Sequence, residues 1–315
     1  MNRHLVTCVV YNRYMKTFMR MTQATLALGL VTLSGCGSDV TGGDPNASST
    51  SNSGGNVSKD WTTLVDGTWE MTAGKEGYWC TRKTITQDTY INAFRADAPQ
   101  GTHHTLLLVT QGGSEDGEQS CGPLLGSNMI FASGIGTGDL AFPEGVAVKV
   151  PAGSQLLLNL HLFNTGADTL KNISKILVKT VAAADVKDEA EMIFGGASDI
   201  QIPPNGTQTV EGSCIFPGTT TIWSVWAHMH QYGTNMKITY ESASGSKVLH
   251  DGPYSFTDQI NYLIDPVTVS AGEEVRIQCS YQNPTSQTIY FGDSSDSEMC
   301  FAGFYRYPKL GKGCF

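Results

Sequence analysis

The residues of this chain best suited to chemistry are a small number of grouped histidines. Five of the seven histidines lie in three short segments: His103 and His104 in "GTHHTLLLV", His161 in "LLLNLHLFN", and His228 and His230 in "WAHMHQYG". Residues two apart in an extended strand point to the same face, so the imidazoles of His228 and His230 are expected side by side. Neutral imidazoles are common metal ligands, and the grouping therefore suggests a metal-binding protein.

Each group also has a simpler interpretation. A lone histidine such as His161, inside a leucine-rich strand, is often a hydrogen-bonded core residue. Adjacent side chains point to opposite faces of a regular strand, so His103 and His104 can share a metal only where a bulge or a strand end re-aims one of them. The His-x-His pair could equally hold zinc or form a structural site. These alternatives stay open on spacing alone.

The elements that position these histidines are predicted to be β-strands. Short β-branched or aromatic runs alternate with turns rich in Gly, Pro, Asn and Ser, and 35 of the 315 residues are glycine. Period-two alternation predicts strands over 103–110, 155–163, 207–216, 221–230, 273–281 and 299–307. Many short strands with regular turns favour an all-β fold, with two consecutive antiparallel β-sandwich (jelly-roll-like) domains.

The chain is expected to divide into four parts. Residues 1–36 are typical of a signal peptide with a lipobox, because an apolar stretch ends in Leu33-Ser34-Gly35-Cys36; lipidation of Cys36 would anchor the protein to a bacterial membrane. An ordinary signal peptide is the alternative. Residues 37–59 form a flexible linker, and residues 60–185 and 186–315 form the two sandwiches. "VPAGSQLLLNLHLFN" (150–164) is echoed weakly by "VSAGEEVRIQCSYQN" (269–283), which suggests related halves.

Charge and cysteine content narrow the function. The net charge is −9 with no basic cluster, which argues against nucleic acid as a partner. Beyond Cys36 there are six cysteines, an even set that indicates three disulfides in an exported protein. Oxidised sulfurs cannot act as thiolate ligands, so a metal must be held by His, Met or carboxylate.

Four motifs, in this order, resemble those of the copper type II, ascorbate-dependent monooxygenases. They are "GTHHTLLLV" (101–109), "LLLNLHLFN" (156–164), "WAHMHQYG" (226–233) and "GDSSDSEMCFAGFY" (292–305), and the resemblance extends over 60–315. It implies two coppers per chain, one held by His103, His104 and His161, and a catalytic one held by His228, His230 and Met299. It also implies O2 and a small-molecule substrate as partners, ascorbate or a similar reductant, and hydroxylation of a C–H bond.

The resemblance also implies disulfides Cys80–Cys121, Cys214–Cys314 and Cys279–Cys300. The substrate pocket departs from the family. Peptide-hydroxylating members carry an arginine where this chain has Trp226, and an asparagine and a tyrosine where it has Phe301 and Gly303. Loss of the guanidinium removes bidentate carboxylate recognition, so Trp226 and Phe301 favour an apolar or aromatic substrate.

Some residues and functions are left outside this scheme. Asp293, Asp296 and Glu298 precede Met299 and are expected to be solvated turn residues; the alternative is that they orient the loop or a metal ligand. His250 is expected to be an ordinary surface or core residue. The alternative function for the whole chain is a non-catalytic copper-binding lipoprotein, for which the same ligands would serve.

Overall fold

The computed structural model describes residues 60–124, 128–311 and 313–314. The predicted signal peptide, Cys36 and the linker 37–59 lie outside the described residues. The described residues all fall within one compact unit, Ser53–Phe315. No helix in this part of the chain is long and apolar enough to cross a membrane.

Residues up to 189 form eleven strands. They are β1 (Thr62–Met71), β2 (Glu76–Thr84), β3 (Thr89–Asp97), β4 (Thr102–Thr110), β5 (Gly117–Cys121), β6 (Met129–Gly134), β7 (Leu140–Ala141), β8 (Val146–Val150), β9 (Gln155–Phe163), β10 (Leu170–Thr180) and β11 (Asp188–Glu189). A single 3-10 turn, Ala183–Asp185, is the one helical element of the described chain. The strands form a five-stranded sheet in the order β5-β2-β9-β4-β6 and a second sheet in the order β1-β10-β3-β8-β11, where β7 pairs with β3.

Residues from 191 onward form ten further strands. They are β12 (Glu191–Ala197), β13 (Gln201–Ile202), β14 (Thr207–Ile215), β15 (Thr220–His228), β16 (Gly233–Ser242), β17 (Gly245–Pro253), β18 (Asn261–Val269), β19 (Glu274–Gln282), β20 (Ile289–Tyr290) and β21 (Cys300–Tyr307). Eight of them make one sheet in the order β17-β16-β19-β14-β12-β21-β15-β18, and β13 pairs with β20. The pairing is antiparallel except between β11 and β8, so the predicted all-β sandwich fold is confirmed.

The centre of the large sheet is covered on both sides. Trp223, Trp226 and Tyr305 belong to the apolar core of the N-terminal sheets, whereas Val225 and Phe304 belong to the core of the C-terminal half. Burial on both faces explains why β15 reads as a nearly continuous apolar run. Sheet membership changes between β11 and β12, but the exact domain boundary at 185/186 stays a prediction.

The two echoed segments occupy equivalent positions. Gly153 and Gly272 close the turns before β9 and β19, and both adopt φ +82°, a conformation that favours glycine. Asn164 and Asn283 follow these strands, and both are buried. Each asparagine side chain accepts a hydrogen bond from the backbone N–H of residue i+2 and donates one to the backbone carbonyl of residue i+4. The sequence echo therefore reflects a shared structural unit.

Within the described residues there are three disulfides, Cys80–Cys121, Cys214–Cys314 and Cys279–Cys300. They are the pairs expected from the family resemblance. The last joins β19 to the first residue of β21 and so fixes the backbone directly after Met299. Disulfides persist in oxidising compartments, which identifies the chain as an exported protein.

Candidate metal sites

The first candidate site brings together His103, His104 and His161, which we call the first histidine site. His104 lies opposite His161 in the pairing of β4 with β9, and the register shifts between Thr102 and His104. This irregularity is the predicted bulge, and it allows two adjacent histidines to point to one place. The candidate ligand atoms of the three histidines all lie within 4.8 Å of one another.

The ring nitrogens of the first histidine site suit a metal ion. The Nδ1 atoms of His103 and His104 are 3.3 Å apart; two nitrogens that each lie about 2 Å from one tetrahedral ion are separated by roughly this distance. The Nε2 atom of His161 lies 2.6 Å from Oε1 of Glu76. Its Nδ1 atom is buried and has no hydrogen-bond partner among the described residues. A buried lone pair without a donor is what a metal would satisfy, so these residues fit a metal ion that takes imidazole ligands, as copper does.

The second candidate site lies at the end of β15, and its predicted ligands are His228, His230 and Met299. β15 ends at His228 and His230 follows in the turn, yet their ring centroids are only 5.4 Å apart. Oε1 of Gln259 lies 3.1 Å from Nδ1 of His228, and the carbonyl of Ser297 lies 3.0 Å from Nδ1 of His230. Because these oxygens accept, each Nδ1 carries the hydrogen and each Nε2 keeps a lone pair for a metal.

Burial keeps these histidines neutral. It lowers the pKa of His103 to about 4 and that of His228 to about 3. The pKa values of His104, His161 and His230 are also lowered, again with burial as the largest cause. Neutral imidazole is the form that binds metal, so all five are ready to act as ligands near neutral pH.

Glu298 is not the solvated turn residue that was predicted. Its side chain is fully buried, and its carboxylate accepts backbone N–H hydrogen bonds from His230 at 2.8 Å, Tyr232 at 2.6 Å and Met299 at 3.2 Å. Burial raises its pKa to about 7, against the effect of these hydrogen bonds. Its place directly before Met299 in the sequence was the signal for the alternative, a role in orienting the loop. Glu298 fixes the backbone on both sides of the second candidate site.

An apolar cavity opens onto both sites. It has a volume of about 720 Å³, and its lining includes His104, His228, His230, Met299, Trp226 and Phe301. Trp226 stacks on His228, with centroids 4.9 Å apart and planes at 14°. Met192 and Phe194 extend the apolar lining. They occupy the space next to Gly303 that a side chain at this position would need. His250 lies apart from the cavity and packs on Tyr262.

The two sites are neighbours, held together by a segment that sequence reasoning missed. The ring of Phe256 lies 4.4 Å from that of His103 and 6.0 Å from that of His230. Gln259 contacts His228 through its side chain. Its backbone carbonyl accepts a hydrogen bond of 3.2 Å from the backbone N–H of Gly134. Gly134 in turn pairs with His104 in the N-terminal sheet. No spacing or composition signal marks residues 254–260 in the sequence.

Comparison with known proteins relates the C-terminal half to one family. Residues 189–314 match the model described as copper type II ascorbate-dependent monooxygenase, C-terminal domain. A chain of dimeric latent PorU from Porphyromonas gingivalis is 9% identical with a TM-score of 0.18, and the match covers 74% of this chain and 24% of that chain. A chain of infectious bursal disease virus, Gx strain, is 10% identical with a TM-score of 0.18, covering 81% and 79%. TM-scores this low do not indicate a shared fold.

Proposed function

We propose that the protein hydroxylates a C–H bond of a small apolar or aromatic molecule, because residues 189–314 match the model of the copper type II ascorbate-dependent monooxygenase C-terminal domain. The reaction would use O2 and ascorbate or a similar reductant. Two coppers per chain would be held by His103, His104 and His161, and by His228, His230 and Met299.

The observation that supports this proposal most is that the first histidine site and the three proposed ligands of the second, His228, His230 and Met299, adjoin one apolar cavity. Three imidazoles suit copper in both oxidation states, whereas the thioether of Met299 favours Cu(I). When bound, copper supplies electron storage at the first site and activation of O2 at the second. A site built only to store a metal has no need of a large apolar cavity beside its ligands.

The chain's own residues provide orientation and exclusion of water. Gln259 and the Ser297 carbonyl fix the Nδ1–H tautomers of the second site, and Glu298 fixes the backbone that carries His230 and Met299. Trp226 brings an apolar surface next to His228 where a cation would be needed to hold a carboxylate. The cavity therefore favours a neutral apolar substrate over a peptide carboxylate.

The decisive experiment measures metal content, O2 uptake and product together. The purified protein should bind two coppers per chain and should consume O2 with ascorbate only when an apolar or aromatic substrate is added, with a product heavier by one oxygen. Met299→Ala should abolish product while the first histidine site stays loaded, and His250→Ala should behave as the wild type. Two bound coppers without substrate-dependent O2 uptake would instead identify a non-catalytic copper-binding lipoprotein.

We also propose that Cys36 carries a lipid and that residues 37–59 tether the globular part to a bacterial membrane, facing the periplasm or the cell surface. The lipobox sequence and the exported character of the disulfide-bonded chain support this. Cys36→Ser should move the protein from the membrane fraction to the soluble fraction. An unchanged distribution would reject the anchor and leave the proposed reaction untouched.

A further inference from the structure

One carboxylate oxygen lies between the two candidate sites. Oε1 of Glu76 is 2.6 Å from Nε2 of His161 and accepts a hydrogen bond of 2.8 Å from Oγ of Ser295. Glu76 is the first residue of β2, in the N-terminal sheet that carries His161. Ser295 lies 219 residues later, in the segment between β20 and β21 that ends at Met299.

The same segment is held from its other side by the turn that carries His230. The backbone carbonyl of Ser295 accepts from Nε2 of Gln231 at 2.9 Å, and that of Ser297 lies 3.0 Å from Nδ1 of His230. Hydrogen bonds and a few residues of backbone therefore connect His161 in the first site to His230 in the second. Among these residues, Glu76 uses one atom, Oε1, to contact both His161 in the N-terminal half and Ser295 in the C-terminal half.

The chemistry of an ionised carboxylate fixes the direction of both contacts. It can only accept hydrogen bonds, so Nε2 of His161 must carry the hydrogen and Nδ1 must keep the lone pair. Carboxylate–histidine pairs of this kind orient metal ligands and fix their tautomer.

We propose that Glu76 is a positioning residue that links the two sites, fixing the ligand nitrogen of His161 and, through Ser295, holding the Met299 segment beside the first histidine site. This assignment rests on the proposed function for its purpose, because adjacent sites matter only if both hold copper. The link itself is a property of the metal-free chain. It can therefore be tested without copper.

The first test is amide hydrogen exchange of the full-length metal-free protein. Ser295→Ala removes the hydroxyl that reaches Glu76, and loss of one hydrogen bond corresponds to roughly fivefold faster opening. We expect about that increase in exchange over residues 293–298. Ser295→Thr keeps the hydroxyl and should restore the wild-type rate, and Ser286→Ala, an exposed serine in the loop before β20, should leave it unchanged. Unchanged exchange in Ser295→Ala, or an equal increase in Ser286→Ala, would overturn the link.

The second test follows the tautomer of His161 by ¹⁵N NMR of its imidazole. The wild type should show a protonated Nε2 and an unprotonated Nδ1, and Glu76→Ala should show a mixture of the two tautomers. Ser295→Ala should keep the wild-type tautomer, because its histidine contact is intact. A pure Nε2–H tautomer in Glu76→Ala would show that Glu76 does not position His161.

A third measurement separates this inference from the proposed function. In protein loaded with two Cu(II) ions, the magnetic coupling between the ions reports how close the sites are, and Ser295→Ala should weaken it relative to the wild type and to Ser286→Ala. Unchanged coupling would contradict the holding role of Ser295. If the wild type fails to bind two coppers, the proposed function fails, while the exchange and NMR results still decide whether Glu76 links the two segments.

Discussion

The ring of His104 lies edge-on to the ring of His228, with centroids 6.5 Å apart and planes at 88°. These residues belong to different sheets and to different candidate metal sites. The two candidate sites are therefore neighbours.

The close approach depends on a glycine. A Cβ atom at Gly134 would lie 2.7 Å from Cβ of Gln259 and 3.1 Å from its backbone nitrogen. Gly134→Ala should therefore push the 254–260 segment away and cost about 1–3 kcal/mol of unfolding free energy, together with weaker magnetic coupling in the copper-loaded protein. Chemical denaturation and electron paramagnetic resonance measure the two effects.

The matched control for that variant is Gly138→Ala in the next loop. A Cβ there meets no heavy atom of the described residues within 4 Å, so we expect wild-type stability and coupling. Equal effects of the two substitutions would contradict a specific role for Gly134.

Glu298→Gln tests the buried carboxylate beside Met299. The substitution keeps the size of the side chain but brings an amide N–H₂ against backbone N–H donors, which should cost about 1–3 kcal/mol. Copper should then lose its sulfur ligand in X-ray absorption spectra, while the first histidine site stays loaded. Asp296→Asn, in the exposed part of the same segment, should keep the sulfur ligand; its loss there too would argue for a general effect of the segment.

The metal-free protein should lose stability as the pH falls from about 6.5 towards 4. All five candidate histidine ligands have folded pKa values below the ordinary 6.5. Between these values the unfolded chain takes up protons that the folded chain does not, at about 1.4 kcal/mol per pH unit for each histidine. Glu298 has the opposite effect, because its raised pKa makes the folded protein more stable as the pH falls. This is one group against the five histidines, so the net change is a loss of stability. Denaturation midpoints from pH 7.5 to 4 measure the sum, and a flat profile would contradict the burial of these rings.

Gly303→Ala should narrow the cavity without unfolding the protein. The added Cβ would lie 2.5 Å from Cε of Met192, the far end of a flexible side chain that can move into the cavity. We expect kcat/KM to fall several-fold more for a bulky aromatic substrate than for a small one, and the double variant with Met192→Ala to regain the bulky substrate. A uniform loss for all substrates would show that Gly303 does not shape the cavity.

The sequence alone determined the local features of this protein. Alternation with period two gave the strand Gln155–Phe163 at its observed bounds, and the adjacent histidines required a bulge that is present at His103. The family resemblance supplied the disulfide pairs and the candidate ligands. These features depend on spacing within one strand or on motifs that keep their order along the chain, so they can be read without knowing how the sheets pack.

Only the tertiary structure decided which residues support the candidate sites. Glu76 and Ser295 are separated by 219 residues, and Gln259 reaches Gly134 only because two separate sheets pack against each other. The burial of Glu298 depends on the turn after β15 folding over it, and four polar neighbours in sequence predicted the opposite. Such contacts are set by the packing of whole sheets, whose energy is spread over many apolar residues, and no short segment of the sequence encodes it.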